Sequence, residues 1–124
     1  MFKSAQRTQS KLRMSIDGPA GSGKTYTALR FAHVIANQLN GKIAFIATER
    51  GSASKYVGNN PDGIPFNFDV VELNNFSPDR YTEAINAAGR AQYSVLVVDS
   101  LSHAWEGAGG ALEMKMKAGE GWNA

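Results

Sequence analysis

Residues 18–25 read Gly18-Pro19-Ala20-Gly21-Ser22-Gly23-Lys24-Thr25, which matches the pattern G-x-x-x-x-G-K-[ST] of a phosphate-binding loop. The three glycines let the backbone bend so that successive N–H groups point at phosphate oxygens. Lys24 supplies a positive charge for the β- and γ-phosphates, and Thr25 supplies a hydroxyl for Mg²⁺. The pattern predicts that residues 18–25 bind a nucleoside triphosphate with Mg²⁺. The alternative is a glycine-rich turn that ends in Lys-Thr by coincidence.

The flanking segments have the periodicity that such a loop needs. Residues 12–16 alternate apolar and polar side chains, which predicts a short strand. Downstream, apolar residues recur at helical spacing up to the stop signal Asn40-Gly41: Ala28, Leu29, Ala32, Ile35, Ala36 and Leu39. A strand, a glycine loop and a helix in this order place the positive end of the helix dipole at the anion site.

Composition narrows the class of protein. The chain has 124 residues, 43% of them hydrophobic, which fits one globular domain over residues 1–124, with residues 1–11 expected to be flexible. A net charge of +2 is too small to argue for a polyanionic partner, and the lack of cysteine excludes disulfides and thiolate metal sites. No apolar run approaches the ~20 residues that span a bilayer, and residues 1–11 do not resemble a secretory signal.

Strand and helix patterns alternate along the rest of the chain. Residues 42–48 predict a strand buried on both faces, residues 68–73 a third strand, and residues 95–98 a fourth that is too apolar for a sheet edge. Between the last two, Ser77-Pro78 is a typical helix start. This alternation predicts an α/β fold with a parallel sheet.

The fourth strand ends in an acidic residue. Val95-Leu96-Val97-Val98-Asp99 is four aliphatic residues and an aspartate, the Walker B pattern, in which a buried strand delivers one carboxylate to the phosphate loop to hold Mg²⁺. Asp99 and Thr25 are therefore the predicted metal residues. The alternative is that Asp99 caps a turn or helix, as Ser100 also could.

Hydrolysis requires a group that orients and deprotonates water, and Ser100 cannot act as a base at neutral pH. Glu49 also follows an apolar strand and is expected at the same edge of the sheet. We therefore predict Glu49 and Lys24 as catalytic residues. The alternative for Glu49 is a surface ion pair with Arg50 or Lys55.

Together these segments resemble the RecA-like ATPase core. In that family a glutamate after the strand that follows the first helix activates water, which Glu49 matches. In bacterial RecA a tyrosine seven residues later stacks on adenine, and Tyr56 stands at that offset. Residues 49–53 and 99–105 look similar to phage-encoded AAA-family ATPases linked to single-strand annealing. The resemblance implies ATP and Mg²⁺ as ligands and Tyr56 as a base-binding residue.

The resemblance covers residues 12–113. It implies DNA recombination as the setting, single-stranded DNA and further copies of the chain as partners, and the cytoplasm of a bacterial or phage-infected cell as the location. Residues 102–110 occupy the place of a DNA-binding loop, although they carry Glu106 and no arginine or lysine. The family has a further strand after Walker B, which carries a γ-phosphate sensor. We therefore expect this chain to be the N-terminal part of such a core, truncated at its C-terminus. We also expect either a gap beside the fourth strand or a rearranged tail that fills it.

Other functional classes fit less well. A small-molecule kinase would need a substrate insert and an arginine-rich lid, and a GTPase would need an Asn/Thr-Lys-x-Asp base reader; neither signal is present. A nucleotide-binding module that assembles with partners without hydrolysis remains the main alternative. His103 is a candidate because it lies close to Asp99 in the sequence, whereas His33, in a helix, is expected to be an ordinary surface or core residue.

Overall fold

The computed structural model describes residues 1–6, 11–19, 21–49, 51, 53–59 and 62–122. In chain order its elements are α1 (Lys24–Leu39), β1 (Ile43–Ala47), a 3₁₀ helix (Ala53–Tyr56), β2 (Gly58–Asn59), β3 (Pro65–Phe66), β4 (Asp69–Glu72), α2 (Pro78–Arg90), β5 (Val95–Asp99), α3 (Ser102–Glu106) and α4 (Ala111–Trp122). Strands β4, β1 and β5 form a parallel sheet in that order, and β2 pairs with β3 in an antiparallel hairpin. The α/β class and the parallel sheet predicted from the sequence are confirmed.

Strand β1 lies at the centre of the sheet because all five of its residues are apolar and can be buried on both faces. Every residue of β1 is buried, as predicted. Phe45 is 1% exposed and belongs to a core cluster with Leu29, Ala47, Ala53 and Phe66. The parallel register pairs Ala47 of β1 with Asp99 of β5, so the carboxyl ends of both strands meet at one edge.

Helix α1 covers one face of this sheet. Its buried residues Leu29, Ala32 and Ala36 recur at helical spacing and lie on the side that faces β1 and β5. The helix ends at Leu39, followed by Asn40 in the left-handed conformation, which is the predicted stop. Packing of this apolar stripe places the first turn of α1 at the carboxyl edge of the sheet.

The β2–β3 hairpin, which the sequence did not reveal, packs against α1. Its Phe66 is fully buried and stacks on His33 with ring centroids 4.7 Å apart. His33 Nδ1 lies 2.7 Å from the Leu29 carbonyl, and its Nε2 accepts the Asn67 N–H at 2.9 Å. These two contacts place the ring proton on Nδ1. Of the two expected places for His33, surface or core, the structure thus shows packing against the core.

Helix α2 begins as predicted, with Ser77 as its N-cap and Pro78 at its first position. The Ser77 side chain accepts the Arg80 N–H at 3.3 Å. Tyr81, which is buried, donates its hydroxyl to the Ser100 carbonyl at 2.8 Å. This bond ties α2 to the segment that follows β5.

Tyr81 should make the fold sensitive to alkaline pH. Burial raises the pKa of Tyr81 above its ordinary value of 10.0. The folded protein therefore holds the Tyr81 proton more tightly than the unfolded chain does, which contributes to the free energy of unfolding. This contribution is complete below pH 10 and is lost as pH rises through the folded-state pKa. Tyr81→Phe should lower the free energy of unfolding by about 0.5–1.5 kcal/mol at neutral pH and reduce its decline at alkaline pH. Chemical denaturation is the measurement, in a Tyr93→Phe background because the hydrogen bond to Asp69 also raises the pKa of Tyr93.

Three predictions about secondary structure are wrong. Residues 12–16 form no strand; Leu12 and Met14 are exposed, because the apolar side of the alternating pattern has no sheet to cover. Strand β5 lies at an edge of the described sheet, half-buried, although we predicted an interior position. Residues 118–121 read Ala-Gly-Glu-Gly, a composition that predicts a loop, but they continue α4.

Residues 12–16 and β5 do not pair with each other, and the segment after Leu101 forms α3 and α4 rather than a strand. Val95 and Val97 of β5 nevertheless pack against the core beneath α1, which explains their apolar character at an edge. Within the described ranges, no helix is long and apolar enough to cross a membrane.

Candidate functional site

The first turn of α1 begins without a side-chain cap. Its N-cap is Gly23, in the left-handed conformation with φ of 87°, and its first turn contains no acidic residue. Helix α2 differs, because Ser77 caps it and Asp79 lies in its first turn. Backbone N–H groups at an uncapped helix start are available to an anion, and the helix dipole favours negative charge there. Of these two helix starts, α1 is thus the one suited to phosphate.

The loop that precedes α1 is held by contacts among its own residues. Lys24 Nζ donates to the Gly18 carbonyl at 2.5 Å, so the lysine side chain crosses the loop. The Ser22 N–H donates to the Pro19 carbonyl at 3.2 Å. A Cβ on Gly18 would lie 2.8 Å from Ser22 Oγ, so a larger residue here would require the Ser22 side chain to move. Gly21 and Gly23 both have positive φ, and Ala20 lies outside the described residues.

Thr25 and Asp99 are brought together although they are 74 positions apart in the chain. The Thr25 hydroxyl donates to Asp99 Oδ2 at 2.6 Å, and both residues are half-buried. Thr25 comes from the first turn of α1 and Asp99 from the carboxyl end of β5, so packing of α1 on the sheet creates the contact. The pair presents one hydroxyl oxygen and one carboxylate beside the phosphate-type loop.

This donor set suits Mg²⁺ bound together with a nucleotide. Mg²⁺ in nucleotide sites takes one or two protein oxygens and completes its shell with phosphate oxygens and water. The Thr25 oxygen keeps lone pairs for an ion while its own proton is donated in the hydrogen bond to Asp99. Among the described residues there is no group of three or more His, Cys, Asp or Glu that could hold a metal by itself. Thr25 and Asp99 therefore suit a Mg²⁺ ion that is bound together with the phosphates of a nucleotide.

Glu49 lies two residues beyond the carboxyl end of β1 and its side chain is exposed. The register that pairs Ala47 with Asp99 places it at the same edge of the sheet as the Thr25–Asp99 pair. The same edge carries Glu72, which pairs with Ala47 from the other side and accepts the Gly51 N–H at 3.2 Å. Glu72 is an addition to the residues predicted from the sequence, and its position as an acidic residue at a strand end is the signal that identifies it.

A second residue that the sequence analysis missed is Thr48, which follows β1. It is the one buried polar side chain among the described residues, at 8% exposure. Its hydroxyl accepts the Ser100 N–H at 3.0 Å and lies 2.8 Å from His103 Nδ1. The Asp99–Ser100 peptide bond is cis. No residue pattern in the sequence distinguishes this threonine from other strand ends.

Tyr56 ends the 3₁₀ helix and is half-buried. Its ring packs against the core cluster that contains Leu29, Phe45 and Phe66. Tyr56 therefore lies beside Phe66 of the β2–β3 hairpin. Tyr26, next to Thr25, packs against the same cluster. Tyr56 is thus engaged in packing but not fully buried.

A family comparison covers nearly the whole chain. The AAA domain family matches residues 10–123, which include the loop, β1 and the Walker B strand. The chain belongs to this family. No curated protein and no solved structure matches it. Membership makes this AAA domain a P-loop ATPase-type protein, in agreement with its parallel sheet and phosphate-type loop.

Proposed function

We propose that this AAA domain binds Mg²⁺-ATP and hydrolyses it. The observation that carries the proposal is the 2.6 Å contact between the Thr25 hydroxyl and Asp99, next to an uncapped helix start. A glycine-rich turn that ended in Lys-Thr by coincidence would have no reason to meet the carboxylate at the end of a distant parallel strand. Family membership supports the same chemistry.

The roles follow from position. Residues 18–25 would surround the phosphates with backbone N–H groups, and Lys24 would leave the Gly18 carbonyl to contact the β- and γ-phosphates. Thr25 and Asp99 would hold Mg²⁺, which when bound neutralises charge that develops on the phosphates. Lys24 adds a positive charge at the same phosphates, so binding and catalysis share it.

Glu49 is our proposed general base. Water must lose a proton as it attacks the γ-phosphate, and a carboxylate within reach accelerates that step. Ser100 follows Asp99 directly but cannot accept a proton at neutral pH. Glu49 is exposed at the edge of the sheet that carries Asp99, where solvent and phosphate can both reach it.

The setting we propose is DNA recombination by a RecA-like, phage-type ATPase that acts on single-stranded DNA and assembles with further copies of itself. The support is the resemblance of residues 49–53 and 99–105 to such proteins, together with the exposure of Trp105 on α3, 52% accessible and thus able to stack on a base. The carboxylate of Glu106 beside it repels phosphate, so contact with a DNA base is favoured over contact with the DNA backbone.

A second candidate is nucleotide binding without hydrolysis. The observation that favours it is the position of β5, whose Asp99 is required for the site: within the described sheet this strand has a neighbour on one side only. An edge position leaves the carboxylate less firmly held than an interior strand would. A kinase has no comparable observation in its favour.

A nucleotide panel tests these proposals. The chain is titrated with fluorescent ATP, ADP and GTP in Mg²⁺ or EDTA, and phosphate release is followed with and without single-stranded DNA. We expect Mg²⁺-dependent binding of ATP in preference to GTP, phosphate release, and faster release with DNA. Binding without release would support the second candidate, and no binding of any nucleotide would contradict both.

Tyr56 is the proposed adenine contact. If its ring stacks on the base, Tyr56→Ala should weaken ATP binding by about 0.5–1.5 kcal/mol, whereas Tyr56→Phe should bind as wild type does. Nucleotide titration is the measurement. Because Tyr56 also packs on the core, thermal unfolding of both variants must accompany it. Equal affinity of the alanine variant and wild type would assign the ring to packing alone.

A further inference from the structure

The hydroxyl of Thr48 lies between the ends of β1 and β5. It accepts the Ser100 N–H at 3.0 Å and lies 3.2 Å from the Asp99 carbonyl, and the Thr48 N–H donates to the same carbonyl at 3.0 Å. The two strand ends that carry Glu49 and Asp99 are therefore joined through one buried side chain. A buried hydroxyl in such a network fixes the backbone around it, because loss of a partner leaves a polar group without water.

His103 completes the network from α3. Its Nδ1 lies 2.8 Å from the Thr48 hydroxyl oxygen, and its ring stacks on Phe76 with centroids 4.9 Å apart. The Gly107 N–H donates to the His103 carbonyl at 2.9 Å, and a Cβ on Gly107 would lie 2.5 Å from Phe76 Cδ2. The imidazole is thus held between Phe76 and Thr48, and Gly107 permits that close packing.

We propose that His103 is a positioning residue for ATP hydrolysis: through the Thr48 hydroxyl it fixes the end of β1, and with it Glu49, relative to Asp99. This inference rests on the proposed function. Glu49 directly follows Thr48 in the chain, so a shift of the Thr48 backbone moves the carboxylate that would receive the water proton. Misplacement of a catalytic group by about 1 Å can cost 10²-fold in rate. His103 acts through Thr48 and does not itself receive that proton.

Two substitutions separate the hydrogen bond from the packing of the ring. His103→Asn keeps a polar atom near the position of Nδ1 and removes the aromatic stack on Phe76. His103→Phe keeps the stack and removes the nitrogen. At Thr48, Thr48→Ser keeps the hydroxyl and Thr48→Val removes it at similar volume. The readouts are Mg²⁺-ATP affinity by titration, steady-state kcat and KM, and thermal unfolding for each variant.

We expect His103→Phe and Thr48→Val to lower kcat by about tenfold or more while Mg²⁺-ATP affinity changes by less than about twofold, since positioning acts on the chemical step. His103→Asn and Thr48→Ser should retain most of the wild-type kcat. The double variant His103→Phe/Thr48→Val should be no slower than the slower single variant, because both changes remove one interaction. Retention by the asparagine variant also excludes His103 as the base, since an amide cannot take the proton.

Four outcomes would overturn the proposal: wild-type kcat in His103→Phe, loss of kcat in His103→Asn alone, additive losses in the double variant, or an inactive wild-type chain. The first three leave ATP hydrolysis by the wild-type chain intact and refute only the role of His103. An inactive wild type refutes the proposed hydrolysis and the positioning role together. A variant that loses both nucleotide affinity and its thermal transition is unfolded. If a His103 variant unfolds, the comparison of Thr48→Ser with Thr48→Val tests the proposal instead.

Discussion

Lys24→Ala should bind Mg²⁺-ATP about 10- to 150-fold more weakly than wild type, because a hydrogen bond to a charged group contributes about 1.5–3 kcal/mol. Lys24 belongs to the first turn of an uncapped helix, and its ammonium group, which now contacts the Gly18 carbonyl, would turn to the phosphates when nucleotide binds. The substitution removes that charge and the contact to Gly18, but it leaves the core intact because Lys24 belongs to neither core cluster. Fluorescent-nucleotide titration measures the loss.

Lys115→Ala is the matched control. Lys115 lies on α4, is exposed, and carries the same charge away from the loop. Its removal should leave ATP affinity unchanged, which shows that the effect at Lys24 is local and not a consequence of net charge. If Lys24→Ala bound ATP as wild type does while its thermal unfolding was normal, the assignment of residues 18–25 as the phosphate site would be wrong.

Glu49→Gln should separate binding from chemistry. Glutamine keeps the size and the hydrogen-bonding capacity of the side chain but cannot accept a proton. Mg²⁺-ATP should therefore bind with wild-type affinity while turnover falls by about 10²-fold or more. Affinity is measured by titration and turnover by phosphate release under saturating ATP.

The chain offers a close control for this experiment in Glu72. It ends β4 at the same edge of the sheet, pairs with Ala47 in register, and is also exposed. Glu72→Gln should retain turnover, because its carboxylate accepts the Gly51 N–H and belongs to the far side of β1 from Asp99. If Glu72→Gln lost turnover while Glu49→Gln kept wild-type turnover, Glu72 and not Glu49 would be the general base.

Much of the fold follows from local patterns in the sequence. Three local signals predict elements that the structure contains. They are the apolar spacing of α1, the continuous apolar run of β1 and the Ser77-Pro78 start of α2. Asp99 was predictable as a partner of Thr25 because parallel strands end at a common edge, and the α1 N-terminus is packed against that edge.

Other features depend on neighbours that a local pattern cannot specify. Residues 12–16 alternate as a strand should, yet strand formation requires a pairing partner and a face to bury, and Leu12 and Met14 have neither in the described structure. The β2–β3 hairpin is too short for a periodic signal. The Thr48–His103 contact joins residues that are far apart in the chain, so only the assembled fold reveals it.

The distance in sequence between Thr25 and Asp99 has a consequence for folding. Because Thr25 and Asp99 are 74 positions apart in the chain, the two oxygens meet only after α1, β1 and β5 have docked, and an unfolded chain has no such site. A ligand that bridges them therefore binds the native state alone. At a hundredfold excess over its dissociation constant it would add about 2.7 kcal/mol to the free energy of unfolding. Mg²⁺-ATP would then act as a removable cross-link between the start of the first helix and the end of the last strand, and each release of product would return the domain to its less stable form.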